Sequence, residues 1–166
     1  MMMKKIAMIM GSDSDLAVVQ KGLDVLEEFG VPYEVHIFSA HRTPAAAAAF
    51  AAGARENGFG VIIAAAGMAA HLAGALAANT LLPVIGIPVK SNCFDGMDAL
   101  LSTVMMPGGI PVATVGVDNA KNAALLALQI LALSDESLLK KMELYREKAA
   151  AQVLEKDRKL NQKSTL

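Results

Sequence analysis

The segment Lys4-Lys5-Ile6-Ala7-Met8-Ile9-Met10-Gly11-Ser12-Asp13-Ser14-Asp15 decides the fold. An apolar run follows two lysines and stops at Gly11, as a parallel strand buried on both faces does. Small and capping residues come next, and then Leu16, Val19, Leu23, Leu26 and Phe29 recur at helical spacing. Gly30 ends this helix, Pro32 forbids its continuation, and Tyr33 to Phe38 alternates and is rich in strand formers. A strand, a helix and a second strand are thus written into the opening of the chain.

The same alternation continues. Thr43 and Pro44 read as N-cap and first residue of an alanine-rich helix that runs to about Asn57. Val61 to Ala65 is a third strand, Gly67 turns the chain, and a short helix from about Ala69 to Asn79 carries His71. A fourth strand, Pro83 to Val89, leads into the loop Lys90-Ser91-Asn92-Cys93-Phe94 and a helix from Gly96 to Met105. After the break at Pro107-Gly108-Gly109, Pro111 to Val115 is a fifth strand, and Asn119 to Leu133 is so apolar that it is expected to be buried all round. Strands and helices at this spacing call for a three-layer α/β domain, with a five-stranded parallel sheet, right-handed crossovers and helices on both faces. Every strand-to-helix loop then lies at the carboxyl edge, where such folds bind ligands, so Gly11 to Asp15, Ser39 to Thr43, Ala66 to Ala70 and Lys90 to Phe94 are expected to converge.

Residues 1–134 are read as one domain, and no internal repeat or linker divides them. From Asp135 charged residues become frequent while Leu138, Met142, Tyr145 and Ala149 keep helical spacing, so 135–166 is an appended amphipathic helix with a tail, Asn161 to Leu166, expected to fray. This helix packs back on its own body or lies across a neighbouring subunit; one narrow stripe leaves both open. The whole chain of 166 residues is 54% hydrophobic and 19% charged, which points some apolar surface towards another subunit. Its net charge of −1 and lack of tryptophan argue against nucleic acid as a partner. No apolar run of about 18 residues goes unbroken and no charged-then-apolar leader opens the chain, so no membrane partner is expected and the location reads as cytoplasmic. The single Cys93 cannot form an intrachain disulfide.

Two loops carry chemistry. In Gly11 to Asp15, hydroxyls and free N–H groups at a helix N-terminus suit a phosphate, although ordinary capping explains the same residues; a carboxylate there would suit a sugar hydroxyl. In Ser39 to Thr43, His41 can move a proton and Arg42 can hold an anion, and a strand-end loop has no packing reason to display both. His71, set among alanines, is either a satisfied buried histidine or a site residue. His36 lies within a strand and reads as packing, and Cys93 as a packed or incidental thiol. The histidines do not fall at metal-ligand spacing, so no metal is expected.

Gly-Ser-x-Ser-Asp at 11–15, Ser-Ala-His-Arg-Thr-Pro at 39–44, Ala-Gly-x-Ala-Ala-His-Leu at 66–72, Met-Pro-Gly-Gly-Ile-Pro-Val at 106–112 and Asn-Ala-Lys-Asn-Ala-Ala at 119–124 together resemble the bacterial PurE family. The resemblance runs in order from Met8 to about Leu133. It implies a flavodoxin-like (Rossmann-like) subunit, a homo-octamer with active sites shared between subunits, and the C-terminal helix reaching a neighbour. The implied activity moves a carboxyl group from the exocyclic nitrogen of N5-carboxyaminoimidazole ribonucleotide to ring carbon C4, in purine synthesis, without a metal or other cofactor. His41 is implied as the acid and base; Ser12, Asp15 and Arg42, with Ser14, as the hold on the ribose 5-phosphate. Ser39, Gly67, Ala69, Ala70, His71 and Leu72 complete the implied substrate-binding set. Direct carboxylases of the same family carry Gly-Arg-Ser-Asn-Ala where this chain has Gly67-Met68-Ala69-Ala70-His71, which favours the mutase. Met68 stands in place of a common glycine, Ala73 of a proline and Leu16 of a tryptophan. Outside the family, a non-catalytic nucleotide- or flavin-binding module is the rival, and neither loop offers an aromatic ring to stack a flavin.

Overall fold

A computed structural model describes residues 3–163. Strands β1 (Lys5–Met10), β2 (Tyr33–Ile37), β3 (Phe59–Gly67), β4 (Val84–Val89) and β5 (Ala113–Thr114) form one parallel sheet in the order β2-β1-β3-β4-β5. Helices α1 (Leu16–Phe29), α2 (Pro44–Gly53), α3 (Leu72–Ala77), α4 (Met97–Val104), α5 (Ala120–Ala132) and α6 (Glu136–Lys163) connect and follow them, with 3-10 turns at Asp13–Asp15 and Phe94–Gly96 leading into α1 and α4. The architecture is the expected flavodoxin-like three-layer one.

Strand periodicity divides the interior in two. Ile6, Met8, Val61, Ile63, Ile85 and Ile87 face α1, α5 and the start of α6; Ala7, Ile9, Ile62, Ala64 and Val84 face α2 and α3. Successive side chains of a strand point to opposite faces, so a run such as Val61-Ile62-Ile63 must be apolar throughout to serve both layers. α1 stops in a Schellman turn: Gly30 takes φ +67°, its N–H reaches Glu27 O, and Val31 N–H reaches Leu26 O at 3.1 Å. Pro32 follows, and β2 begins at Tyr33 as read.

Five elements depart from their expected form. β3 reaches from Phe59 to Gly67 instead of Val61 to Ala65, because β1 pairs its start, with Lys5 opposite Phe59, and β4 its end, with Val89 opposite Gly67. β5 shrinks to Ala113–Thr114, since only β4 pairs it and Pro111 has no N–H to donate. α2 ends at Gly53 rather than Asn57, and the turn that follows closes at Gly58 with φ +84°. α3 starts only at Leu72, because Met68 at φ +58° breaks the helix expected from Ala69. α5 is not buried all round: Lys121, Asn122 and Gln129 are exposed.

The C-terminal helix does one of the two things left open over its first three turns. Asp135 caps it, accepting from Leu138 N–H at 3.0 Å, and Leu138 and Met142 join the core beneath α1 and α5. Tyr145 packs on Phe29 at 5.4 Å between ring centres, and Lys141 Nζ donates to Phe29 O at 2.8 Å. From Arg146 to Gln162 every residue except Glu155 is exposed, Ala149 included. Among the described residues no helix is long and apolar enough to cross a membrane.

Candidate active site

The carboxyl ends of β1 to β4 open on one cavity of about 990 Å³, large enough for a nucleotide. The four loops expected to converge do so, and all eleven residues singled out as site residues line the cavity.

In the first loop, Ser12 organises the turn. Its Oγ accepts from Ser14 N–H at 3.3 Å and donates to Asp13 Oδ1 at 3.1 Å, which keeps the Asp13 carboxylate on the exposed side. Asp15 takes the N-cap position of α1 without capping it, since its side chain makes no bond to the helix N–H groups. The carboxyl is buried beside Ser14 Oγ at 3.4 Å. Burial pushes its pKa up, with Asp118 and Asp13 adding to the rise and hydrogen bonds from Ser14 and Ser12 opposing it.

The second loop is closed on itself. Thr43 N–H donates to Ser39 O at 2.9 Å, Ser39 N–H to Thr43 Oγ1 at 2.9 Å, and Arg42 N–H to Ser39 Oγ at 3.1 Å. Thr43 is the N-cap residue of α2, as read, with Pro44 at the start of the helix, but its hydroxyl is spent on Ser39 and makes no cap bond to the helix. The result is a tight turn with His41 and Arg42 exposed at its tip. Arg42 Nη2 also donates to Gly11 O at 3.1 Å, which ties the second loop to the first.

In the third loop, Gly67 lies so near β4 that a Cβ would come 3.1 Å from Val89 O. Ala70 N–H and His71 N–H each reach back two residues, to Met68 O and Ala69 O at 2.8 Å. Ala70 O accepts from Thr103 Oγ1 at 3.2 Å, and His71 Nδ1 sits 3.1 Å from Ser102 O, so α4 supports this loop from behind. His71 is exposed and not a buried core histidine.

The fourth loop carries Lys90, whose N–H donates to Asp118 Oδ1 at 2.9 Å and whose Nζ pairs with Asp95 Oδ1 at 2.8 Å. Asp95 raises the Lys90 pKa and Lys90 lowers that of Asp95. Cys93 is exposed here, so of the two readings, a packed or an incidental thiol, it is not the packed one. Asp98, on the first turn of α4, was not singled out from sequence. It accepts from Ser91 Oγ at 3.3 Å through Oδ2, while its Oδ1 is buried without a partner at the cavity wall. His36 lies outside the cavity and packs against Phe38 and Phe50. Among the described residues no group of three His, Cys, Asp or Glu side chains is placed to hold a metal.

A polar turn, an exposed arginine and histidine side by side and small apolar walls are what an anionic ligand would meet in this cavity. The chain matches the AIR carboxylase family model over residues 5–152. It is 54% identical over 157 residues to the N5-carboxyaminoimidazole ribonucleotide mutase of Pyrococcus horikoshii, covering 95% of this chain and 89% of that one. It is 51% identical over 160 residues to the Thermotoga maritima protein of the same name, covering 96% and 94%. Among solved structures, that of Treponema denticola PurE superposes with a TM-score of 0.85 at 32% identity, over 94% of this chain and 98% of that one.

Proposed function

The chain belongs to the AIR carboxylase family, and we propose that it converts N5-carboxyaminoimidazole ribonucleotide into 4-carboxy-5-aminoimidazole ribonucleotide in purine synthesis. The observation that carries this reading is the meeting of the Gly11 to Asp15 loop and the His41-Arg42 turn on one cavity, in a chain whose full-length relatives are mutases.

Arg42 and the turn at the start of α1, with the hydroxyls of Ser12 and Ser14, hold the 5-phosphate; Asp15 takes a ribose hydroxyl. His41 serves the aminoimidazole ring as acid and then as base. As the bond between the exocyclic nitrogen and the carboxyl carbon breaks, CO2 leaves, the electron pair stays on nitrogen, and His41 supplies the proton. Ring carbon C4 then attacks the CO2, and the neutral His41 removes the C4 proton. Substrate and product are isomers, and the histidine ends as it began. Ala66, Gly67, Ala69 and Ala70 give the CO2 a small apolar wall, and Ser39, His71 and Leu72 complete the contacts to the base.

The reading extends to assembly and place. We place the enzyme in the cytoplasm as a homo-octamer with shared sites, residues 1–134 forming the catalytic domain and 135–166 reaching a neighbour. Exposed apolar residues support the assembly: Met97, Leu101 and Val104 on α4 with Met105 at its end, and Val153, Leu154 and Leu160 on α6.

Supplying the N5-carboxylated nucleotide and, separately, the uncarboxylated nucleotide with bicarbonate tests the reaction. Rapid product from the first alone is expected; rapid product from the second alone would show a direct carboxylase. His41→Asn is expected to lower turnover by at least about a hundredfold, the usual scale for a lost acid–base group, with nucleotide binding nearly unchanged. Near-normal turnover in that variant would remove His41 from the chemistry.

A further inference from the structure

The last four carbonyls of an α-helix have no N–H of their own helix to accept from. At the end of α4, Leu101 O accepts from Met105 N–H at 3.2 Å and Val104 O from Met106 N–H at 3.0 Å. Ser102 O meets instead the imidazole of His71, whose Nδ1 lies 3.1 Å away across 31 residues of chain. A carbonyl oxygen only accepts, so Nδ1 carries the hydrogen, and in the neutral ring the free lone pair is on Nε2.

The ring reaches Ser102 by lying back over the first turn of α3, directly above Gly74. A methyl group built on Gly74 would run into His71 Cε1 and come 2.5 Å from Nε2 and 3.0 Å from Nδ1. Those are the nearest atoms it would meet, and they are all of this one ring. Gly74 has no conformational need to be glycine: it is helical, buried and free of positive φ. Glycine within a helix is unfavourable by about 1 kcal/mol against alanine, so the sequence gives up helix stability at the one place where the ring must pass.

We propose that Gly74 is a positioning residue: its missing side chain, together with the Ser102 carbonyl, holds His71 as the Nδ1–H tautomer. The Nε2 lone pair is then the acceptor that His71 offers to the cavity, where it takes a nitrogen-bound proton of the ligand. The identity of that donor, the exocyclic nitrogen of the aminoimidazole, rests on the mutase reading; the placement of the ring does not.

The test uses the full-length protein labelled with 15N-histidine. Two-bond proton–nitrogen correlations on the unliganded enzyme are expected to show His71 with a pyrrole-type Nδ1 and a pyridine-type Nε2. In Gly74→Ala that pattern is expected to give way to mixed tautomers, and turnover to fall by about tenfold to a hundredfold, the scale of a misplaced contact group. The melting temperature should hold or rise, because alanine is the better helix former. A cycle with His71→Ala separates positioning from structure: in that background Gly74→Ala is expected to change turnover by less than about twofold. An unaltered tautomer in Gly74→Ala, or an equal loss in both backgrounds, would overturn the proposal. Wild-type protein with the expected tautomer but no turnover of either nucleotide would count against the mutase reading and still support the placement of His71.

Discussion

Asp15 shows at a single residue how the site works against the stability of the chain. Its carboxyl is buried, and burial raises its pKa above the ordinary value of about 3.9. The folded chain therefore binds this proton more tightly than the unfolded chain does. Its contribution to stability is complete below about pH 3.9 and is lost as pH rises through the raised folded value. Asp15→Asn should melt higher than wild type at pH 7, by roughly 2–4 °C for each kcal/mol relieved, and the gain should vanish near pH 3–4 while nucleotide affinity is lost at every pH. Thermal melts across that range check it; an equal gain at pH 3 and pH 7 would point away from titration. Met68 is the converse case. It holds φ +58°, a conformation that suits glycine, at a position where the sequence already looked exceptional. Met68→Gly is expected to stabilise the fold by up to about 1 kcal/mol in denaturant unfolding, the left-handed strain exceeding the entropy that glycine costs. His41 and Arg42 were legible because polar residues closing an apolar strand have no packing role there. Asp98 was not, because a carboxylate on a first helical turn also answers the helix dipole and carries no motif of its own.

Elements were legible where punctuation residues bound them. Gly11, Gly30 with Pro32, and Thr43 with Pro44 fix the limits of β1, α1 and β2 and the start of α2 almost to the residue. Lengths governed by pairing were not: β3 gains residues from two neighbours and β5 loses them for want of a second. Thr43 shows the limit of local rules, since its hydroxyl could cap α2 or close the turn onto Ser39, and only the turn presents His41. For α6 the amphipathic stripe held for three turns and then ran out of partner. Removing residues 146–166 takes away no residue buried in this chain among those described. The truncated protein is expected to keep its far-ultraviolet spectrum while its mass in solution drops below that of the proposed octamer, about 138 kDa, eight times 17.3 kDa, in light scattering. A subunit count equal to that of the full chain would remove α6 from assembly.

At the scale of the whole molecule, one sheet separates two interiors and places four loops at one edge. Ile62 and Ile63 share a peptide bond, yet each belongs to a different interior. Both are fully buried, so Ile→Val at either should cost about 0.5–1.5 kcal/mol. Neighbouring substitutions ordinarily interact, whereas groups with no shared partners add. The Ile62→Val/Ile63→Val double variant is expected to lose the sum of its singles within about 0.5 kcal/mol by chemical denaturation. Residues adjacent in the chain would then be thermodynamic strangers. Drift in the layer under α2 and α3 would then proceed without the layer under α1 and α5 having to answer it.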